Sequence, residues 1–324
     1  MMGLFLCPKV YISRTYLAPI AFNYMSQKIL ITGGTGLVGS VLIPMLKAKG
    51  HQIVVLSRTK KKHPDYEVFE WDYKRDYLEE GALDGVDTIM HLAGAGVADA
   101  KWTPERKDEI YNSRIKTSLL LYNELQKGEH QVKTFVAASA IGLYGDDTGN
   151  QLMRETMPVG HNFLAHVTDA WETATNKISS LGIRLVQLRI GIVLSQHGGA
   201  LVELLKPPVA APLGKGKQYM SWIHIADLAQ MFIESAENEN YVGAYNAVGP
   251  KPETNRDFTK KAAKAFGKFF LPIPVPSLIL KLMLGEMAAI VLGGSRISSQ
   301  KIEEAGFKFR FPKLEKALEN LSTK

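Results

Sequence analysis

Ile29-Leu30-Ile31 is an unbroken apolar run that ends in Gly33-Gly34-Thr35-Gly36-Leu37-Val38-Gly39. From residue 37 the apolar positions recur at helical spacing until Gly50. A short continuous apolar run bounded by turn residues predicts a strand buried on both faces, and spacing by three and four predicts one face of a helix. The alternation then repeats. "QIVVLS" (52–57), "EVFEWD" (67–72) and "VDTIMHLAG" (86–94) predict a second, third and fourth strand. Thr103-Pro104-Glu105-Arg106 opens a long helix, with Thr103 as its cap and Pro104 in its first turn. "KTFVAAS" (133–139) and "IRLVQLRIGIVL" (183–194) predict a fifth and sixth strand. Strands alternating with helices predict a doubly wound α/β fold of the Rossmann type: a parallel sheet covered on both faces, with ligands at the carboxyl ends of its strands.

Beyond residue 194 the pattern loosens. Pro207, Pro208, Pro212, Gly214 and Gly216 mark a loop-rich stretch, and "WIHIADLAQMFIESAE" (222–237) returns as a strand edge plus helix. A helix over 254–267 capped at Thr254 or Asn255, a link containing Pro272, Pro274 and Pro276, and two further helical segments complete the chain. The expected organisation is an N-terminal extension over 1–27, a dinucleotide-binding domain over 28–190 and a smaller C-terminal substrate lobe over 191–324, helical from about residue 250. Residues 1–24 read as an extension or as an early start with Met25 the true one; a targeting peptide is the alternative. The apolar stretch 276–292 is interrupted by Lys281 and Glu286, so it predicts a packed helix and no membrane span.

Composition narrows the classes further. A hydrophobic fraction of 46% and a charged fraction of 22% are those of a globular protein. The net charge of +7 is spread along the chain, apart from Arg58 and Lys60-Lys61-Lys62, so no nucleic-acid partner is expected. The single cysteine, Cys7, excludes an internal disulfide framework and a cysteine-based zinc site; it suits a reducing, cytoplasmic setting. No spacing suggests a metal.

Gly33, Gly36 and Gly39 stand three residues apart between a strand and a helix. The first serves a tight turn, the second lets backbone approach a phosphate, and the third lets helix and strand pack closely. With Thr35, Leu37 and Val38 they form a candidate pyrophosphate cradle at a helix start. An acid at the end of the second strand would favour NAD, but Ser57-Arg58-Thr59-Lys60 stands there. A guanidinium at that place pairs with a 2′-phosphate, so NADP(H) is the expected cofactor. Asp72, closing the third strand, either accepts from the adenine amino group or forms a turn. Ala93 and Gly94 are small enough for backbone to approach the cofactor.

"ITGGTGLVGS", "HLAGAG", "SAIGLYGD", "LRIGIVLS" and "WIHIADLA" occur in the order seen in extended short-chain dehydrogenase/reductases of the NAD-dependent epimerase/dehydratase branch, which the chain resembles from residue 28 to its end. "KWTPERKDEIYNSRI", "GKGKQYMSWIHIADLA" and "LGGSRISSQKIEEAGFKFRFPKLEKALENL" are similar to blocks of the YfcH-like subfamily, the last a C-terminal region of unassigned function. The resemblance implies an NADP(H)-binding oxidoreductase or epimerase acting on a small polar substrate. Members that transfer hydride generally use Tyr-x-x-x-Lys on the helix after the fifth strand, where the lysine lowers the tyrosine's pKa. Here Leu164 and Thr168, to within one residue, occupy those positions; between residues 141 and 200 the only tyrosine is Tyr144 and the only lysine Lys177.

The groups left as candidates are Ser139, as substrate orienter (or Ala140 in the other register), Tyr144 as proton donor, and His224 beside Gln218 and Trp222. An imidazole titrating near neutrality can donate a proton or bind a carboxylate. Asn112, Ser113 and Arg114 lie at the family's asparagine position, with Arg114 read as a tie between helix and loop; His161 and His166 rank lower. The alternative to an enzyme is a non-catalytic NADP(H)-binding regulator.

Overall fold

The computed structural model describes residues 26–323. The expected N-terminal extension therefore lies outside the described residues, with Cys7, except for Ser26 and Gln27. Those two already run beside the second strand, with Ser26 donating to the Gly50 carbonyl and Gln52 donating to that of Gln27.

The strands are β1 (Lys28–Thr32), β2 (Gln52–Ser57), β3 (Glu67–Asp72), β4 (Tyr77–Leu78), β5 (Thr88–His91), β6 (Thr134–Ala140), β7 (Asp147–Met153) and β8 (Arg184–Ile190). With Gly243–Ala247, all but β7 form one eight-stranded sheet in the order Gly243–Ala247, β8, β6, β5, β1, β2, β3, β4, parallel except for β3–β4. Side chains alternate across it. Ile29 and Ile31 face a core shared with helices α1 (Gly39–Ala48) and α5 (Ile225–Glu237), whereas Leu30 faces a core shared with α2 (Pro104–Gln126). Helix α3 (Phe163–Asn176) packs against α2. The fold is the doubly wound α/β architecture that the sequence predicts.

Two boundaries differ from expectation. The sheet does not stop at residue 190: Gly243–Ala247 adds its last strand and α5 covers one face, so the sheet and its covering layer draw on both sides of that boundary. The single run 183–194 also divides at Gly191. A Cβ there would lie 2.3 Å from the Ser221 carbonyl oxygen, and the chain steps out of the sheet so that β9 (Ile192–Leu194) pairs with Trp222–His224 instead.

The smaller lobe is built from α4 (Ala200–Leu205), α6 (Asn255–Ala265) and α10 (Leu314–Ser322) around Trp222, Phe258 and Leu318. Helix α6 is capped by Thr254, whose hydroxyl accepts from the Asp257 amide. The stretch 276–292 is two helices, α7 (Ser277–Leu284) and α8 (Ala288–Leu292), broken at Gly285 with φ +60°. Short α9 (Gln300–Glu304) leads to a segment latched by Asp227 of α5. Its buried carboxylate accepts from the Arg310 amide at 2.9 Å and the Phe311 amide at 3.0 Å. Asp227→Ala strands both donors and should lower unfolding stability by about 2–3 kcal/mol, read from the urea midpoint. No helix among the described residues is long and apolar enough to cross a membrane.

Candidate functional site

β1 pairs with β2 on one side and β5 on the other, and this reversal of strand order opens a crevice at the carboxyl ends. Gly33 begins the turn there at φ +71°, a backbone region that favours glycine, and a Cβ would lie 3.0 Å from the Leu92 carbonyl carbon. A Cβ on Gly39 would lie 2.5 Å from the Gly34 oxygen, so the start of α1 rests directly on the turn. Thr35 and Gly36 are exposed, and Leu37 and Val38 are half-buried. Val38 caps α1 without a side-chain hydrogen bond, and the first turn holds no acid. The helix start thus presents uncapped amides and its positive dipole end to an anion.

Below the cradle lies a buried polar chain that sequence reading missed. The Thr32 hydroxyl oxygen accepts from the Leu92 and Ala93 amides, each at 3.1 Å, which leaves its proton for Nδ1 of His91 at 2.8 Å. Ser118 donates to the Arg114 carbonyl, so its oxygen is free to accept from Nε2 of His91 at 3.1 Å. Every partner therefore selects the neutral Nε2–H tautomer. Burial holds the imidazole down to about 3.

Arg58 is exposed at the end of β2 and has no ion-pair partner among the described residues, whereas neighbouring Lys60 pairs with Glu79. Both oxygens of Asp72 are used in its own turn, accepting from the Lys74 amide and from Nε of Arg75; these bonds, Arg75 foremost, hold its carboxyl low. That is the turn-forming arrangement. Gly94 is exposed, and a Cβ on it would lie 3.1 Å from the guanidinium carbon of Arg114. Arg114 donates to the Ala95 carbonyl at 2.9 Å and lies over the Trp171 ring, while Ser113 accepts from the Ala95 amide. Burial lowers the Arg114 guanidinium to about 10. Helix α2 thereby fixes the loop carrying Ala93 and Gly94, and Arg114 is the tie between them.

Ser139 and Tyr144 come together in a second buried network. Ser139 donates to Oε1 of Glu172 at 2.5 Å, and Arg189 grips both Glu172 oxygens at 2.8 Å. The same guanidinium donates to the Tyr144 hydroxyl at 2.9 Å, which donates on to Oδ1 of Asn246 at 2.7 Å. Burial pushes the Tyr144 phenol up, against the pull of Arg189. Leu164 and Thr168 lie beside Gly142, and Thr168 donates back to the Leu164 carbonyl.

His224 belongs elsewhere. It caps α5 through Nδ1, stacks on Phe311 at 3.9 Å between centroids, and lies under the C-terminal segment. Burial drives it down to about 4, so it is neutral at pH 7 instead of titrating there. His161 and His166 are exposed. An open groove of about 530 Å³ lies between the turn after β6 and α7–α8, lined by Asp146, Asp147, Lys281, Glu286, Ala288 and Leu292. Lys107 of α2 bridges to Glu286 at its rim.

Residues 29–248 match the model of the NAD dependent epimerase/dehydratase family, and residues 275–321 match a domain of unknown function, DUF1731. The chain is 33% identical over 301 residues to the epimerase family protein SAR0825 of Staphylococcus aureus, covering 92% of this chain and 100% of that protein. It is also 33% identical to the epimerase family protein YfhF of Bacillus subtilis, over 91% of this chain and 98% of that one. Among solved structures, it is similar to the human epimerase family protein SDR39U1 (isoform 2) with NADPH. That match has a TM-score of 0.81 and 27% identity, covering 91% of this chain and 99% of that one.

Proposed function

The chain belongs to the NAD dependent epimerase/dehydratase family, and from that premise we propose that it is an NADP(H)-dependent oxidoreductase acting on a small polar substrate. When bound, the cofactor supplies or takes up hydride at a carbon bearing oxygen. The residues present suit it. Gly33, Gly36 and Gly39 with the amides of Thr35, Leu37 and Val38 would hold the pyrophosphate, and Ala93 and Gly94 would let the backbone approach. The charged lining of the groove beside Asp146 and Lys281 supports a polar substrate.

The observation that carries the choice of NADP(H) is Arg58, exposed and without an ion-pair partner among the described residues, where an acid would otherwise stand. The similar human protein solved with NADPH supports the same reading. A charge-assisted guanidinium–phosphate contact contributes about 1.5–3 kcal/mol, so Arg58→Ala should weaken NADPH about ten- to a hundredfold and leave NADH almost unchanged. Nicotinamide fluorescence titration reads both; equal losses would refute the assignment.

A non-catalytic NADP(H)-binding regulator is the second reading. The observation favouring it is that the hydroxyls of Ser139 and Tyr144 are committed to Glu172 and Asn246, while Leu164 and Thr168 occupy the proton-relay positions. Screening aldehydes, ketones and nucleotide sugars with bound NADPH separates the two: oxidation above background supports the enzyme, and none supports the regulator.

A further inference from the structure

Tying α2 to the loop after β5 uses only part of the Arg114 guanidinium. Nη1 alone is bonded, donating to the Ala95 and Ile110 carbonyls at 2.9 Å each. Nε and Nη2 carry three further N–H donors, which have no partner among the described residues and are not sealed from solvent. Nor does a carboxylate among those residues pair with the side chain: Asp99, the acid close enough to act on it, bonds Arg106 at 3.3 Å. The Trp171 ring, with its centroid 5.1 Å from the guanidinium carbon, steadies the cation without neutralising it. A half-buried cation with free donors and no anion is completed by the oxygens of a ligand.

Position selects the ligand. Arg58 ends β2, on one side of β1, and Arg114 meets the loop leaving β5, on the other. Between them the glycine turn touches that loop, since a Cβ on Gly33 would lie 3.1 Å from the Ala93 nitrogen. A Cβ on Gly94 would lie 3.1 Å from the guanidinium carbon of Arg114 and 3.4 Å from its Nε, so glycine at 94 makes room for the cation at the crevice. A dinucleotide with its 2′-phosphate at Arg58 and its pyrophosphate at the turn runs on across β5 towards Arg114. We propose that Arg114 is a cofactor-binding residue, donating from Nε and Nη2 to oxygens of the nicotinamide-ribose phosphate half of NADP(H). The cation at this junction comes from α2. Trp171, three positions beyond Thr168 on the same face of α3, receives it there, while Lys177 lies over the Tyr122 ring at 5.7 Å.

The proposal rests on the cofactor reading above, and adenosine 2′,5′-bisphosphate, the adenosine side of NADP(H) alone, tests the two separately. By isothermal titration calorimetry the wild-type chain should bind both NADPH and the bisphosphate. Arg114→Met should weaken NADPH about tenfold or more and the bisphosphate by less than about twofold, with Arg114→Lys between wild type and Arg114→Met for NADPH. In the wild-type chain the Nε–H nuclear magnetic resonance signal of Arg114, identified by its loss in Arg114→Lys, should shift on adding NADPH and hold on adding the bisphosphate. Equal losses of both ligands in Arg114→Met, or a signal that NADPH leaves in place, overturns the proposal and leaves Arg114 as a tie of the loop alone. Failure of the wild-type chain to bind either ligand overturns instead the cofactor reading beneath it.

Discussion

Glu172→Gln should lower unfolding stability by about 3–5 kcal/mol, more than any other single change in the second buried network. Glu172 and Arg189 are each 8% exposed, and the pair meets through two bonds of 2.8 Å. Burial alone lowers a guanidinium's pKa, whereas the bonds and charge of Glu172, helped by Tyr144, hold Arg189 raised. The amide keeps the volume and a bond for Ser139 but leaves a buried cation uncompensated. Its effects spread, because the same guanidinium holds the Tyr144 hydroxyl and the Glu155 carbonyl. Urea denaturation gives the loss. The double change Glu172→Leu with Arg189→Met removes both charges and should recover part of it, since an apolar pair of similar volume needs no desolvation. Equal losses for the single and double variants would show that packing, not charge, dominates.

This network was only half legible in the sequence. Ser139 and Tyr144 stood out through the family resemblance, which implies an orienting serine at the end of the fifth strand and places the tyrosine of "LYGD" near the substrate mouth. Glu172 and Arg189, which organise them, did not. The signal was there: Arg189 is the one charge in "LVQLRIGIVL", and a cation in a strand buried on both sides requires an anion nearby. What no periodicity supplies is the partner, because Glu172 reaches it only after α3 crosses back over the sheet. The strand, glycine turn and helix start over residues 28–48 were legible in full because they are contiguous and define one another. His224 was the reverse. Its neighbours in the chain suggest a cleft, but the residues that bury it, Phe311 and the segment latched by Asp227, lie more than eighty positions away. The expected strand over 183–194 erred for a related reason: the residue that breaks it, Gly191, does so because of Ser221, a contact made by folding.

Acid should destabilise the protein well before its carboxylates are protonated, with His91 and His224 responsible. Both side chains are buried and neutral in the folded chain, His91 held down to about 3 and His224 to about 4, against about 6.5 when unfolded. The folded-state values are depressed, so below about pH 6.5 the unfolded chain binds two protons that the folded chain refuses. Stability is therefore level above pH 7, falls through the window from about 6.5 down to about 4 with a slope of two protons, and loses one of them below that as His224 protonates in place. At about 1.4 kcal/mol per pH unit per proton, moving from pH 7 to 5 should cost about 4 kcal/mol. Asp227 works against this at the acid end, since burial raises its carboxyl and the folded chain takes up that proton first. The His91 contribution has a structural signature. The Thr32 hydroxyl can point its proton only at Nδ1, and a proton on that nitrogen would face it directly, breaking the chain of bonds beneath the cradle. His91→Gln should thus be less stable at pH 7 yet lose half of the pH slope, and His224→Gln should remove the other half. Urea midpoints at pH 7 and 5 for the three proteins test this. A slope unchanged in both variants would mean that neither imidazole is the buried neutral group, and would return His224 to the groups that titrate near neutrality and can act on a substrate.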